Sequence, residues 1–245
     1  MLEENIINSL WVGTALSELE ELTIQSFISN GHVFRLWCYA EIKNLPAQVI
    51  VGNANDILPQ SQVFKYPDNS TIDWGAGSYA GFSDVFRYKL LYERGGWWVD
   101  MDVTCLKPFN ITEPYFFRNH WKYPVVGNVL KCPAKTDLMK WCYETSIYAI
   151  TAENKNWHRP IEILNDGILK FDLLSYRQIG RFNLDLIHCV KFFFKGNYPI
   201  PIDWYGIHWI NSGSTLKYVK KSTFDLLLNK YGVDRRRHRK WFVGW

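Results

Sequence analysis

Five side chains in this sequence are of types that together can act on a charged substrate: Asp84, Arg87, Asp100, Asp102 and His208. Asp84 and Arg87 are three apart in a stretch with apolar residues at helical spacing (Val85, Phe86, Leu90, Leu91), so acid and guanidinium are neighbours on one helical face. Taken alone, such a pair reads as a surface ion pair worth little. Asp100 and Asp102 stand at the end of Trp97-Trp98-Val99-Asp100-Met101-Asp102-Val103, which alternates like a strand. Residues two apart in a strand share a face and lie about 6.6 Å apart, at roughly 3.3 Å per residue. Two carboxylates at that spacing reach one hard divalent cation, or a cation and a hydroxyl. Without such compensation they repel, and Asp is depleted in strands, so a plain polar strand edge is the poorer reading.

The elements that must position them are legible on either side. The periodicity predicts a helix from Ser83 to Arg94, stopped by Gly95-Gly96, and then one strand over Trp97 to Val103. Trp98, Asp100 and Asp102 would share one face of that strand, and Trp97, Val99, Met101 and Val103 the buried other. Upstream, Ile6 to Val12 reads as a first strand, with Gly13 freeing the backbone to turn closely past a ligand. Ser17 and Glu20 form a capping box for a helix reaching about Asn30, with Leu16 as staple and Gly31 as stop. Val33 to Tyr39 and Val49 to Val51 read as further strands, and Phe64 to Tyr66 as another. Strand, helix, strand is the beginning of an open nucleotide-binding unit.

The order Ser83-Asp84, two residues, Arg87, then Gly95-Gly96, Trp98, one residue and Asp100-x-Asp102 resembles the DXD-containing sugar-nucleotide glycosyltransferases of the yeast initiating mannosyltransferase and α-1,4-galactosyltransferase type. It is also similar to the glucosyltransferase domain of large clostridial toxins. About twenty residues match closely, with helix, stop, strand and acids in sequence. One departure is that the toxin-like pattern has Tyr two residues before the first acid, where this chain has Trp98. The resemblance implies an α/β GT-A fold with a Rossmann-like nucleotide-binding half and a mixed central sheet. It implies a retaining transfer that forms an α-linkage, with a nucleoside-diphosphate sugar as donor, UDP-linked before GDP-mannose, and Mn²⁺ or Mg²⁺ as cofactor. Asp102 would ligate the metal, and Asp100 would share it and accept from the ribose hydroxyl. Asp84 would accept from donor-sugar hydroxyls, Arg87 would orient the sugar, and Ser83 and Trp98 would complete the donor site. In the resembling families the aromatic-x-Gly of the first strand is also a donor element, which assigns Trp11, Val12 and Gly13 to the donor and stacks Trp11 on its uracil.

The remainder reads as an acceptor half, about residues 109–233, following a donor half of about 1–108 in a single domain. Tyr115 to Phe117 and Pro124 to Leu130 are expected as strands, with Arg118, Asn119 and His120 in the loop between them. Lys135 to Ile150 and the stretch from Pro160 are expected as helices. Asn165 and Asp166 are weak catalytic candidates, because retaining enzymes of this fold place an amide or acid near the anomeric carbon from this part of the chain; a solvated helix face is the competing reading. The segment around His208, Asn211, Ser212 and Gly213 resembles the late His motif of the family, which closes over the diphosphate and helps hold the metal. A neutral imidazole suits Mn²⁺, and a backbone-rich Gly-Ser loop suits phosphate oxygens.

Composition sets the bounds. With 245 residues, 47% hydrophobic and 21% charged, the chain is long enough for one globular α/β domain. Its net charge of +4 is too small to indicate nucleic acid, and none is expected as a partner. All of that excess lies in residues 234–245, where Arg235, Arg236, Arg237, Arg239 and Lys240 face Asp234 alone and precede Trp241, Phe242 and Trp245. Such a tail suits peripheral contact with an anionic membrane, and equally a solvated terminus. The 5 Cys form no CxxC pair and read as reduced, buried thiols. No positively charged leader precedes an apolar run, which points to a cytoplasmic protein. The resemblance implies a glycan or glycolipid acceptor, as in polysaccharide, lipopolysaccharide or capsule synthesis. A nucleotide-sugar hydrolase would need the same donor site, whereas a non-catalytic binding module would not need both acids.

Overall fold

A computed structural model describes residues 5–68, 75–210, 217–235 and 238, apart from the side chain of Cys189. In chain order its elements are β1 (Ile7–Trp11), α1 (Glu18–Ser29), β2 (Phe34–Cys38), β3 (Ile50–Asn53), α2 (Ala80–Arg94), β4 (Gly96–Val99), β5 (Val103–Cys105), β6 (Phe116–Arg118), β7 (Val126–Cys132), α3 (Asp137–Ala149), α4 (Arg159–Lys170), β8 (Arg177–Gln178), α5 (Ile187–Lys195), β9 (Gly206–His208) and α6 (Thr223–Lys230). α1 starts where the capping box requires: the Ser17 hydroxyl accepts from the Leu19 N–H, and Glu20 accepts from the Ser17 N–H at 2.6 Å. α2 stops at Gly95, whose φ of 65° favours glycine and whose added Cβ would lie 2.4 Å from the backbone nitrogen of Ala134.

Seven strands form one sheet in the order β3-β2-β1-β4-β7-β6-β8. β1, β2, β3 and β4 run parallel, β7 is antiparallel to β4 and to β6, and β8 is parallel to β6. The sheet is therefore mixed and continuous across residue 108. Alternate side chains feed two layers. Ile7, Phe34, Leu36, Trp97, Val99 and Val129 pack with Ile24 and Phe27 of α1, whereas Leu10, Trp37, Trp98 and Leu130 pack with α2, α3 and α4. α1 also buries Leu19 and Leu22 against α5, α6, Ile207 and Trp209. β5 and β9 make a second, antiparallel sheet.

Three expectations are corrected. The single strand over Trp97 to Val103 is two strands in different sheets, with a turn at Met101 and Asp102 between them. That turn removes the two carboxylates from one continuous strand face, where they would repel. Its backbone is held at three points: the Asp100 N–H donates to Asn128 O (3.0 Å), Thr23 donates to Met101 O (2.8 Å), and the Trp209 N–H donates to Asp102 O (2.9 Å). Phe64 to Tyr66 is irregular backbone rather than strand, although Tyr66 is buried. Arg118 is the last residue of β6 and not a loop residue, because its guanidinium is buried against an acid described below.

The thiols of Cys38, Cys105, Cys132 and Cys142 are free and buried. Among the described residues no helix is long and apolar enough to cross a membrane. Of the basic tail, Arg235 pairs with Asp225 at 2.7 Å, and His238 is buried with Nε2 2.7 Å from Glu21 and Nδ1 3.1 Å from Leu16 O. The rest of 236–245 lies outside the described residues.

Candidate functional site

The strand order reverses direction between β1 and β4, and in open α/β sheets ligands bind outside the carboxyl ends of the strands at such a switch point. The parallel register of these two strands, with Ile7 opposite Trp97 and Asn8 opposite Trp98, brings Trp11 and Asp100 out at the same end. Trp11 is half-buried there, its indole N–H donating to Ala15 O at 2.9 Å. Gly13 turns close beneath the ring, so that a Cβ on it would lie 3.0 Å from the indole nitrogen. Val12 packs on the core, leaving its backbone as the part next to the switch point.

On the other strand the acids are held by a buried cation. Arg87, 4% exposed, bonds Asp84 one turn earlier on α2 and lies 3.5 Å from Asp100 Oδ1 through Nη1. Its guanidinium carbon lies 5.5 Å from the Trp98 ring centroid. Room for it comes from Gly127 of β7, where a Cβ would meet Arg87 Nη1 at 2.5 Å. Ser83 is partly exposed beside Asp84 in the first turns of α2. Trp98 is fully buried and donates its indole N–H to Asp100 Oδ1 at 2.7 Å. The expectation that Trp98 touches the donor is thus corrected: the ring is core, and its part in the site is to aim Asp100. In doing so it gives the first acid a hydrogen-bond donor even though the pattern's Tyr is missing.

Asp102 faces His208, which β9 carries to it by pairing with β5, Val103 opposite His208. His208 Nε2 is 3.3 Å from Asp102 Oδ2, and its Nδ1 is 2.8 Å from Asp185 Oδ1. Asp185 in turn accepts a two-pronged bond from Arg118, at 2.6 Å to each oxygen, while Arg118 also donates to Asn183 O at 2.8 Å and Asn128 Oδ1 at 3.1 Å. The result is a buried line of alternating charge, Arg118, Asp185, His208, Asp102. Burial alone would raise the Asp185 carboxyl, but the charges of Arg118 and His208 hold it well below the ordinary carboxylate range. Burial alone would lower the His208 imidazole, and the flanking Asp102 and Asp185 carboxylates instead push it up to about 10. Both ring nitrogens are engaged by carboxylates, and His208 thereby orients Asp102. Glu20 adds to the same field: burial raises its carboxyl, and the neighbouring Asp102 charge raises it further.

Asn165 and Asp166 do not join this group. Asn165 is buried in α4, its amide accepting from Val125 N at 3.1 Å and donating to Val125 O at 3.0 Å and Ile161 O at 2.7 Å, so it ties α4 to the entry of β7. Asp166 is exposed on the outer face of α4. Asn211, Ser212 and Gly213 lie outside the described residues. Arg118, Asp185, Asn128 and Gly127 were missed by sequence reasoning, since no local spacing marks residues that meet only through pairing of distant segments.

Among the described residues, no three His, Cys, Asp or Glu side chains are grouped as a ready metal cage. Asp100 and Asp102 remain a fitting donor set of a different kind. Small hard cations such as Mg²⁺ are held by one or two carboxylates, with substrate phosphates and water completing the shell.

Residues 37–119 match the family model described as a glycosyltransferase sugar-binding region containing a DXD motif. That stretch runs from β2 to just beyond β6 and includes Ser83, Asp84, Arg87, Trp98, Asp100 and Asp102. Among solved structures the chain is similar to the PaToxG glycosyltransferase, with 13% identity, a TM-score of 0.50 and 68% of each chain covered. A transferase carrying two Cys-to-Ser substitutions also aligns, with 9% identity, a TM-score of 0.42, and 73% of this chain and 88% of that one covered. No curated protein matches the sequence. The mixed seven-stranded sheet and the likeness to PaToxG give a fold of the GT-A type, as expected. The DXD sugar-binding region thus lies on a fold of the GT-A type.

Proposed function

We propose that this chain is a metal-dependent retaining glycosyltransferase that moves a sugar from a nucleoside-diphosphate sugar, UDP-linked by preference, to a glycan or glycolipid acceptor with formation of an α-linkage. The observation that carries the reading is the pair of pinned carboxylates, Asp100 and Asp102, at the switch point between β1 and β4. Asp100 and Asp102 would hold a divalent cation, Mn²⁺ or Mg²⁺, each aimed by a buried partner, Trp98 for the first and His208 for the second; the cation would supply positive charge against the leaving diphosphate. Trp11 and the backbone of Val12 and Gly13 would line the nucleotide side, and Asn211, Ser212 and Gly213 would contact the phosphates. Asp84 accepts from hydroxyls of the donor sugar, with Ser83 beside it, while Arg87 fixes Asp84 and Asp100 relative to each other. The retaining outcome and the preference for UDP rest on the family resemblance. In this reading residues 1–108 serve the donor and 109–233 the acceptor. The basic residues of 234–245 other than the anchored Arg235 would contact an anionic membrane from the cytoplasmic side.

The test is incubation of wild type and Asp102→Asn with UDP- and GDP-sugars, Mn²⁺ and a mixed glycan pool, following nucleotide release and the anomeric configuration of the product by NMR. Wild type should transfer one sugar with an α-linkage, and Asp102→Asn should be slower by about 10²-fold or more. Nucleotide release that no glycan accelerates would mean a hydrolase, and no turnover of any donor would refute the reading.

A further inference from the structure

We propose that the exposed indole of Trp121 is the acceptor-side sugar platform, stacking the apolar face of a pyranose ring of the glycan beside the acidic site. The proposal rests on the glycosyltransferase reading and names one surface of the same site. Trp121 is 55% exposed, although an indole is among the side chains that gain most from burial. It is not loose. Its N–H donates to Asp185 O at 3.2 Å, the residue whose carboxylate orients His208 and, through it, Asp102.

The loop carrying it is built around an imidazole. His120 Nδ1 accepts from the backbone N–H groups of both Lys122 (3.1 Å) and Tyr123 (3.3 Å), and its Nε2 lies 3.7 Å from Asp185 Oδ2. The His120 ring stands 5.6 Å from that of Trp121 and is stacked at 5.8 Å on that of Tyr123. With its N–H engaged and its loop braced, Trp121 offers an apolar face already fixed in orientation, and fixing it in advance lowers the entropy cost of holding a ligand. A scattered exposed apolar residue needs no explanation, but this one is hydrogen-bonded to the backbone of Asp185, whose carboxylate belongs to the charge line of the site.

Sheet topology says which substrate it meets. β6 and β7 are antiparallel, and β7 is antiparallel to β4, so the loop after Arg118 emerges at the same end of the sheet as Asp100. In the order β3-β2-β1-β4-β7-β6-β8, Trp11 at the end of β1 lies on one side of the acids and Trp121 beyond β6 on the other. A nucleotide on the Trp11 side leaves the Trp121 side for the acceptor. The C–H groups on one face of a pyranose match a flat apolar ring, so the occupant is a sugar and not a second nucleotide phosphate.

The test uses the full chain as wild type, Trp121→Phe and Trp121→Ala, each saturated with UDP and Mn²⁺. Saturation-transfer NMR is run with the methyl pyranosides of glucose, galactose, mannose and N-acetylglucosamine as probes. UDP affinity, measured in parallel, reports whether each variant keeps its donor site. Expected are transfer to the C–H protons of one pyranose face in wild type and Trp121→Phe, and affinity for that glycoside about tenfold weaker or lost in Trp121→Ala, with UDP affinity equal in all three. Equal glycoside binding by Trp121→Ala, or a wild type that binds UDP but no glycoside, would overturn this proposal alone. A wild type that fails to bind UDP with Mn²⁺ would overturn the glycosyltransferase reading and this proposal with it.

Discussion

Replacing Arg118 by Met should be among the most damaging single changes in the chain, although the residue touches no substrate. Arg118 is fully buried, donates to both oxygens of Asp185 at 2.6 Å, and lies over the Phe182 ring at 5.2 Å. Removing one partner of a buried ion pair leaves an uncompensated charge and costs about 3–5 kcal/mol. In a domain of this length each kcal/mol moves Tm by about 2–4 °C, so the fall should be roughly 6–20 °C. Asp185 keeps His208 as a partner, which argues for the lower part of that range. Urea unfolding of wild type, Arg118→Met, Asp185→Leu and the double variant measures it. If the pair acts as a unit, the double variant should recover at least half of the summed single losses, because well-packed apolar residues often replace a buried pair at little cost. A single-variant loss below about 1 kcal/mol, or strictly additive losses, would refute the reasoning, since either is what an exposed ion pair gives. Activity should fall in all three variants through the loss of His208 orientation at Asp102.

Two further outcomes follow from separate contacts. Gly127→Ala would place a methyl 2.5 Å from Arg87 Nη1, so the guanidinium must shift from its place against Asp84 and Asp100; overpacking of this kind costs about 1–3 kcal/mol, and calorimetry should show UDP affinity with Mn²⁺ at least tenfold weaker. Unchanged affinity would mean that Arg87 does not organise the acids. His32 carries the pH dependence. Burial lowers its imidazole to about 4, and its neutral Nε2 accepts from the Phe109 N–H at 2.9 Å. The unfolded chain takes up this proton near pH 6.5 and the fold only near 4, so stability from this group is complete above 6.5 and is lost as pH falls toward 4. The loss should be on the order of 2 kcal/mol after allowing for partial exposure, and His32→Gln, which still offers an acceptor, should show a smaller difference in urea midpoint between pH 7 and 4.5. Equal pH dependence in the two proteins would contradict the assignment.

Much of the region around Asp84 and Asp100 was legible because its signals are local. The Asp84–Arg87 pair follows from helical spacing, the Gly95 stop from conformational freedom, and the facing of Trp97 and Val99 toward one core from strand alternation. The break at Met101 and Asp102 was not legible, since apolar alternation continues through Val103 while the chain changes sheets. Nor was the role of Trp98: an aromatic two residues before an acid fits a ligand contact and a buried brace equally well, and burial decides. Asp185 and Arg118 are 67 residues apart and carry no spacing signature; only the pairing of β9 with β5 and of β6 with β7 brings them to His208. Charge partners across distant strands are what sequence patterns report least.

If Asp100 and Asp102 hold a cation jointly with the donor diphosphate, calorimetric titration of Mn²⁺ with and without UDP will show it. With two carboxylates supplying the protein's share of the shell, each ligand should tighten the other by the same factor, about tenfold or more, and Asp102→Ala should abolish the coupling. Mn²⁺ and UDP binding independently, or UDP binding with equal affinity to wild type and Asp102→Ala, would contradict the account.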